Sequence, residues 1–125
     1  MTDRQLTILA AINLLIAVGA GAVGAHGLKR LVTPELLAVW QTGVMYHLIH
    51  GLGLFIIALL GARYGSPLLS AAGLVMFIGI VLFSGSLYVL TLTGTHWLGA
   101  ITPVGGAAFL AAWAMVALAA YRAQG

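Results

Sequence analysis

The stretch YGSPLLSAAGLVMFIGIVLFSGSLYVLTLTGTHWLGAITPVGGAAFLAAWAMVALAAY, residues 64–121, decides the reading of this chain, because its 58 consecutive positions hold no Lys, Arg, Asp or Glu. A helix rises about 1.5 Å per residue and the hydrocarbon core of a bilayer is about 30 Å thick, so about 20 apolar residues cross it. The stretch is too long for one span and fits two. The break is expected at Thr91-Leu-Thr-Gly-Thr-His-Trp-Leu-Gly-Ala100, its only part rich in Thr and Gly. Working outward, the remaining charges (Asp3, Arg4, Lys29, Arg30, Glu35, Arg63, with Arg122 at the far end) leave charge-free stretches at 5–28 and 36–62, each with room for one span. The fold expected is therefore an all-α membrane protein, a four-transmembrane-helix bundle. One domain covers residues 1–125, with spans at about 6–24, 40–60, 68–90 and 103–121.

Composition agrees with that reading and removes whole classes of function. The 125 residues are 62% hydrophobic and 6% charged, whereas soluble domains carry about 25% charged residues. An ordinary water-soluble domain is excluded. The net charge of +3 comes from five basic residues scattered over helix ends, which form no track for a phosphate backbone, so nucleic acid is not an expected partner. The lipid bilayer is. With no cysteine there is no disulfide, thiolate metal site or cysteine nucleophile. Residues 1–25 have the pattern of a signal peptide, with Arg4 ahead of an apolar run and then small residues; they are read here as the first span.

Local signals place the helices. Leu6, Asn13, Ala17, Ala20 and Gly24 fall on one face of the first helix, a seam of small residues with one polar side chain. Leu28, Leu31 and Val32 share a helical spacing, which predicts a short interfacial turn between the first and second helices. Thr33, Pro34 and Glu35 read as N-cap, first helical position and acidic first turn. Trp40 is expected as an anchor at headgroup level. Counting inward, His47 lies about 10 Å and His50 about 15 Å deeper, which puts His50 near the midplane. Thr102 and Pro103 are expected to cap and open the last helix. Arg4, Arg63 and Arg122 on one side against Lys29 and Arg30 on the other favour both termini in the cytoplasm, in the inner membrane of a bacterium.

The polar residues gather in one half of the bundle: His26, His47, His50 and His96, with Ser84, Ser86, Tyr88 and Thr102. Gly43, His47, His50, Gly51 and Leu54 form one stripe on the second helix, and Gly73, Phe77, Ser84, Tyr88 and Thr91 form another on the third. Polar groups in hydrocarbon are costly unless partnered, so these stripes are expected to face inward. The candidates for a ligand site or polar core are His26, His47, His50, Ser84, Ser86, Tyr88, Thr102 and Asn13. A metal held by His47 and His50 would need His26 or Asn13 to complete it, and haem has little support beyond His50, so no metal or other cofactor is expected. No catalytic residue is assigned: the hydroxyls have only Asn13 or Gln41 to orient a histidine base, and Phe83-Ser-Gly-Ser-Leu-Tyr88 lacks the glycines of a nucleophile elbow. The leading reading is a set of neutral histidines that hydrogen-bond the second helix to the third. The alternative is a proton or small-solute pathway through His47 and His50, with His50 expected to stay neutral because no carboxylate lies in the spans. A homo-oligomer is the expected setting for such a pathway, since four short helices enclose little volume.

Four motifs in order carry a family resemblance: Gly24-Ala-His-Gly-Leu-Lys29, Gln41-Thr-Gly-Val-Met-Tyr-His47 with His50, Phe83-Ser-Gly-Ser-Leu-Tyr88 and Thr102-Pro-Val-Gly-Gly106. Together they resemble the YgdD-like family of small inner-membrane proteins, related to the eukaryotic transmembrane protein 256 and known as domain of unknown function family 423. The resemblance covers essentially the whole chain and implies a four-helix membrane protein with no established biochemical activity. It brings no catalytic residues. The function expected is thus a non-enzymatic bundle that binds a lipid, small ligand or partner, or supports membrane integrity. A transport unit and a metal- or cofactor-binding membrane enzyme are the alternatives.

Overall fold

The computed structural model describes residues 1–123. Helix α1, Asp3–Ala25, opens on a reciprocal cap: the Thr2 hydroxyl accepts from the Gln5 amide at 3.1 Å and the Gln5 side chain accepts from the Thr2 amide at 3.0 Å. A 3-10 turn, Leu28–Arg30, follows as the short interfacial turn expected from the sequence. Helix α2, Pro34–Tyr64, starts with the Thr33 hydroxyl accepting from the Leu36 amide at 3.2 Å, and stops at Gly65, whose φ of 61° suits a residue without Cβ. The third span, Pro67–Thr93, has three parts: helix α3 (Pro67–Ile80), a π-helical segment (Val81–Gly85) and helix α4 (Ser86–Thr93). After Gly94, a 3-10 turn at His96–Ala100 leads into helix α5, Thr102–Arg122. All four spans are long and apolar enough to cross a membrane.

Helix α1 packs on α2, α2 packs on α3 and α4, and α5 packs on α3 and the π segment. The stripes read from the sequence are the ones turned inward. Asn13, Ala17 and Gly24 on α1 are buried, as are Gly43, His47, His50, Gly51 and Leu54 on α2. The main core, including Leu6, Leu54, Ile57, Leu69, Met76 and Phe109, reaches up to the His50 ring, which lies on Phe109. A smaller cluster of Leu28, Trp40 and Val44 closes the other end. Leu15, Leu59 and Leu110 stay more than 70% exposed on the outer faces, an arrangement stable only where the surroundings are hydrocarbon.

Three local expectations change. The π segment interrupts what reads as one regular helix; its wider turn re-phases the third span, so Ser86 and Leu87 are buried alongside Ser84. It also receives α5 at very close range, since a Cβ on Gly105 would run into the Phe83 backbone. Trp40 is no interfacial anchor. Only 7% of it is exposed, and its indole N–H donates to the Ala20 carbonyl at 2.8 Å, across a contact that a Cβ on Gly24 would obstruct. Thr102 lies inside the first turn of α5 rather than capping it, because its hydroxyl is paired with Ser86.

Candidate functional site

Both helix-α2 histidines are buried among spans, and their hydrogen-bond partners fix which ring nitrogen carries the proton. The Asn13 amide nitrogen donates to the Leu9 carbonyl at 2.9 Å, so its oxygen faces His47 Nε2 at 3.0 Å and can only accept. His47 therefore carries its proton on Nε2. The other nitrogen, Nδ1, is left to accept from the Tyr88 hydroxyl at 2.9 Å. One directed chain, Tyr88 to His47 to Asn13 to Leu9, thus ties α4, α2 and α1 together.

His50 is fixed in the opposite sense. The Trp113 indole can only donate, and its Nε1–H reaches His50 Nε2 at 3.0 Å. Nε2 is then the acceptor and Nδ1 carries the proton, donating to the Tyr46 carbonyl at 2.8 Å one turn back on α2. The His50 ring lies flat on Phe109, centroids 3.5 Å apart, and Tyr46 packs on Phe83 at 4.4 Å. An imidazolium at His50 would aim a second N–H at the donor-only Trp113 indole. Each ring bridges its helix to a neighbouring span, His47 to α1 and α4 and His50 to α5.

The hydroxyls are likewise used up. Ser84 donates to the Gly43 carbonyl at 2.7 Å, tying the π segment to α2. Ser86 meets both the Phe83 carbonyl and the Thr102 hydroxyl, the latter at 2.7 Å. Thr91 bonds back to the Leu87 carbonyl at 2.8 Å. Among the described residues every buried side-chain nitrogen and oxygen has a partner. Nor does any group of three or more His, Cys, Asp or Glu side chains among them lie close enough to hold a metal ion.

Of the candidate residues, His47, Asn13 and Tyr88 form one network, Ser86 and Thr102 a second, and Ser84 a third contact. His50 joins none of them: its partner is on α5, where the sequence reading looked to the third span. His26 is exposed and sits at the Leu28–Arg30 turn, apart from the buried groups. Trp113 was missed. A donor-only indole placed mid-span needs a buried acceptor, and His50 is the natural one; that rule was the available signal.

Two apolar cavities open on the lipid-facing surface. A cleft of about 690 Å3 lies between α2 and α5, bounded by Tyr46, His50, Phe83, Phe109, Leu110 and Trp113. A groove of about 390 Å3 runs between α1 and α2, past Gly21, Gly24, Trp40 and Val44.

Comparison with known proteins adds a family. A model described as "Protein of unknown function (DUF423)" matches residues 20–106. The chain is 53% identical over 120 residues to the UPF0382 membrane protein YwdK of Bacillus subtilis (strain 168), covering 95% of this chain and 98% of that protein. It is 43% identical over 122 residues to the UPF0382 membrane protein SH2409 of Staphylococcus haemolyticus (strain JCSC1435), covering 98% and 99% respectively. No solved structure matches it.

Proposed function

The chain belongs to the DUF423 family of membrane proteins, and from that premise we propose that it is a non-enzymatic lipid-binding bundle of the bacterial cytoplasmic membrane, with both termini on the cytoplasmic side and an acyl chain as the occupant of the α2–α5 cleft. One observation carries this reading. The cleft has a volume in the range of small-molecule sites, about 300–1,000 Å3, yet the side-chain nitrogens at its wall are already spent: His50 has both ring nitrogens engaged, and the Trp113 N–H is engaged by His50. What remains is ring faces and aliphatic surface with the single hydroxyl of Tyr46, a lining that complements a hydrocarbon chain far better than a polar substrate. The cleft opens beside Leu110, 75% exposed, where lipid is the surrounding solvent.

The same bookkeeping of protons supports a structural role for the histidines. A relay needs a group that takes up a proton on one side and releases it on the other, and here three of the four ring nitrogens face a partner of fixed sense: the Asn13 oxygen, the Tyr46 carbonyl and the Trp113 N–H. The test is a phospholipid carrying a diazirine on its acyl chain, incorporated in vesicles with the protein. Crosslinks should concentrate on Leu110 and Ala107 of the cleft over Leu15 and Leu59, which face lipid elsewhere. Labelling spread evenly over all four would contradict a cleft that holds a chain.

A further inference from the structure

The turn between α1 and α2 adds a second site, independent of the α2–α5 cleft. Leu28 is 4% exposed and pins the turn onto Trp40 and Val44, so the turn is held by a buried apolar anchor. That anchor leaves Lys29 and Arg30 exposed on either side of a cavity of about 630 Å3 bounded by Ala25, His26, Gly27, Lys29 and Arg30. Of the two acidic side chains in the sequence, Asp3 lies against Gly61 at the other end of the bundle and Glu35 occupies the first turn of α2, where it complements the helix dipole. The two cations are left to meet something from outside.

Directly beneath this basic cup is the α1–α2 groove. The two cavities share Ala25 as a wall, so they are neighbours at this end of the bundle. From Gln41 to Ile49 the groove follows α2 for about 12 Å at helical rise, away from the turn and into the hydrocarbon. Gly21 forms part of its wall opposite Val44, where a Cβ would make an ordinary contact at 3.4 Å. The Trp40 indole N–H at its head is already engaged with Ala20. A positively charged cup at the end of a span, adjoining an apolar trough that follows α2, matches a molecule with a phosphate at one end and an acyl chain at the other. Lys and Arg are the side chains that read phosphate.

We propose that the Leu28–Arg30 turn and the α1–α2 groove together bind one anionic glycerophospholipid, its phosphate between Lys29 and Arg30 and one acyl chain along Gly21, Val44 and Leu48. A soluble anion would use the cup and leave the trough unfilled, and a neutral lipid would fill the trough without engaging the cations. Each basic residue near a membrane surface strengthens binding of an anionic lipid by about fivefold, so the pair favours it by up to about 25-fold.

The protein is reconstituted in vesicles of equimolar phosphatidylglycerol and phosphatidylcholine, released gently, and its retained lipids counted by native mass spectrometry. Wild type should keep one phosphatidylglycerol in preference to phosphatidylcholine by about tenfold or more. Lys29→Gln with Arg30→Gln, both exposed and so compatible with folding, should erase the preference. Gly21→Leu, which fills the trough, should lower retention of that lipid while leaving the acyl-chain crosslinks at Leu110 of the other cleft unchanged. Equal retention of the two lipids by wild type, or a preference that survives the double substitution, overturns the site. Loss of the Leu110 crosslinks alone would count against the α2–α5 cleft and leave this one standing.

Discussion

Removing the His47 ring is the perturbation whose consequence follows most directly from the geometry. His47→Ala deletes two bonds between spans, one accepted from Tyr88 and one donated to Asn13. Interhelical hydrogen bonds in membrane proteins contribute about 0.6 kcal/mol on average and up to about 1.7. Two of them give about 1.2 kcal/mol. The Asn13 oxygen is then stranded at a buried site, and the space left by the ring adds a cavity term, which together bring the expected loss to about 2–4 kcal/mol. Tyr88→Phe removes only the first bond and should cost about 0.6 kcal/mol. The assay is equilibrium unfolding in bicelles, for each single variant and for the pair. Because the two changes delete the same bond, the double variant should be less destabilised than the sum by about 0.6 kcal/mol. Strict additivity would mean that Tyr88 and His47 do not interact, and the directed chain from α4 to α1 would be refuted.

Gly105→Ala places a Cβ against the Phe83 backbone, which cannot yield as a side chain can, so it should destabilise by about 1–3 kcal/mol in the same assay; Gly85→Ala, whose added Cβ meets nothing within 4 Å, is the control. Vesicles containing the protein should pass no protons above protein-free vesicles under an imposed potential, and flux abolished by His50→Ala would establish a relay. Single cysteines replacing Arg63 and His96 should label from opposite sides of intact cells, with position 96 accessible from outside; labelling of both from one side would contradict the four-span topology.

The spans, their inward faces and the Thr33–Pro34 helix start were legible because each rests on a local or periodic signal: charge spacing, a 3.6-residue stripe, a capping hydroxyl followed by proline. The polar half was legible for the same reason, since a buried His or Ser marks its own face whatever it touches. The partners were not. Pairing His50 with Trp113 and His47 with Asn13 depends on how three helices are placed around α2, which no periodicity within one helix encodes. The π segment at Val81–Gly85 coincides with the close approach of Gly105 from α5, a contact between residues about twenty positions apart. Trp40 shows the limit of depth counting: Gly24 opens a slot on α1 that takes the indole, and its N–H is spent on the Ala20 carbonyl. The apolar cavities were invisible in the sequence, because they are spaces left between helices rather than properties of any residue.

The account stands or falls on the histidines being neutral struts of opposite tautomer, three residues apart on one helix. Nitrogen-15 solid-state NMR of the protein in lipid bilayers, with ring-labelled histidine and His47→Gln and His50→Gln for assignment, reads this directly. Between about pH 6 and 8, the range in which an ordinary imidazole changes charge, His47 should show a protonated Nε2 with bare Nδ1, and His50 a protonated Nδ1 with bare Nε2. A doubly protonated ring at either position in that range, or the same tautomer at both, would contradict the network and return these residues to the list of proton carriers.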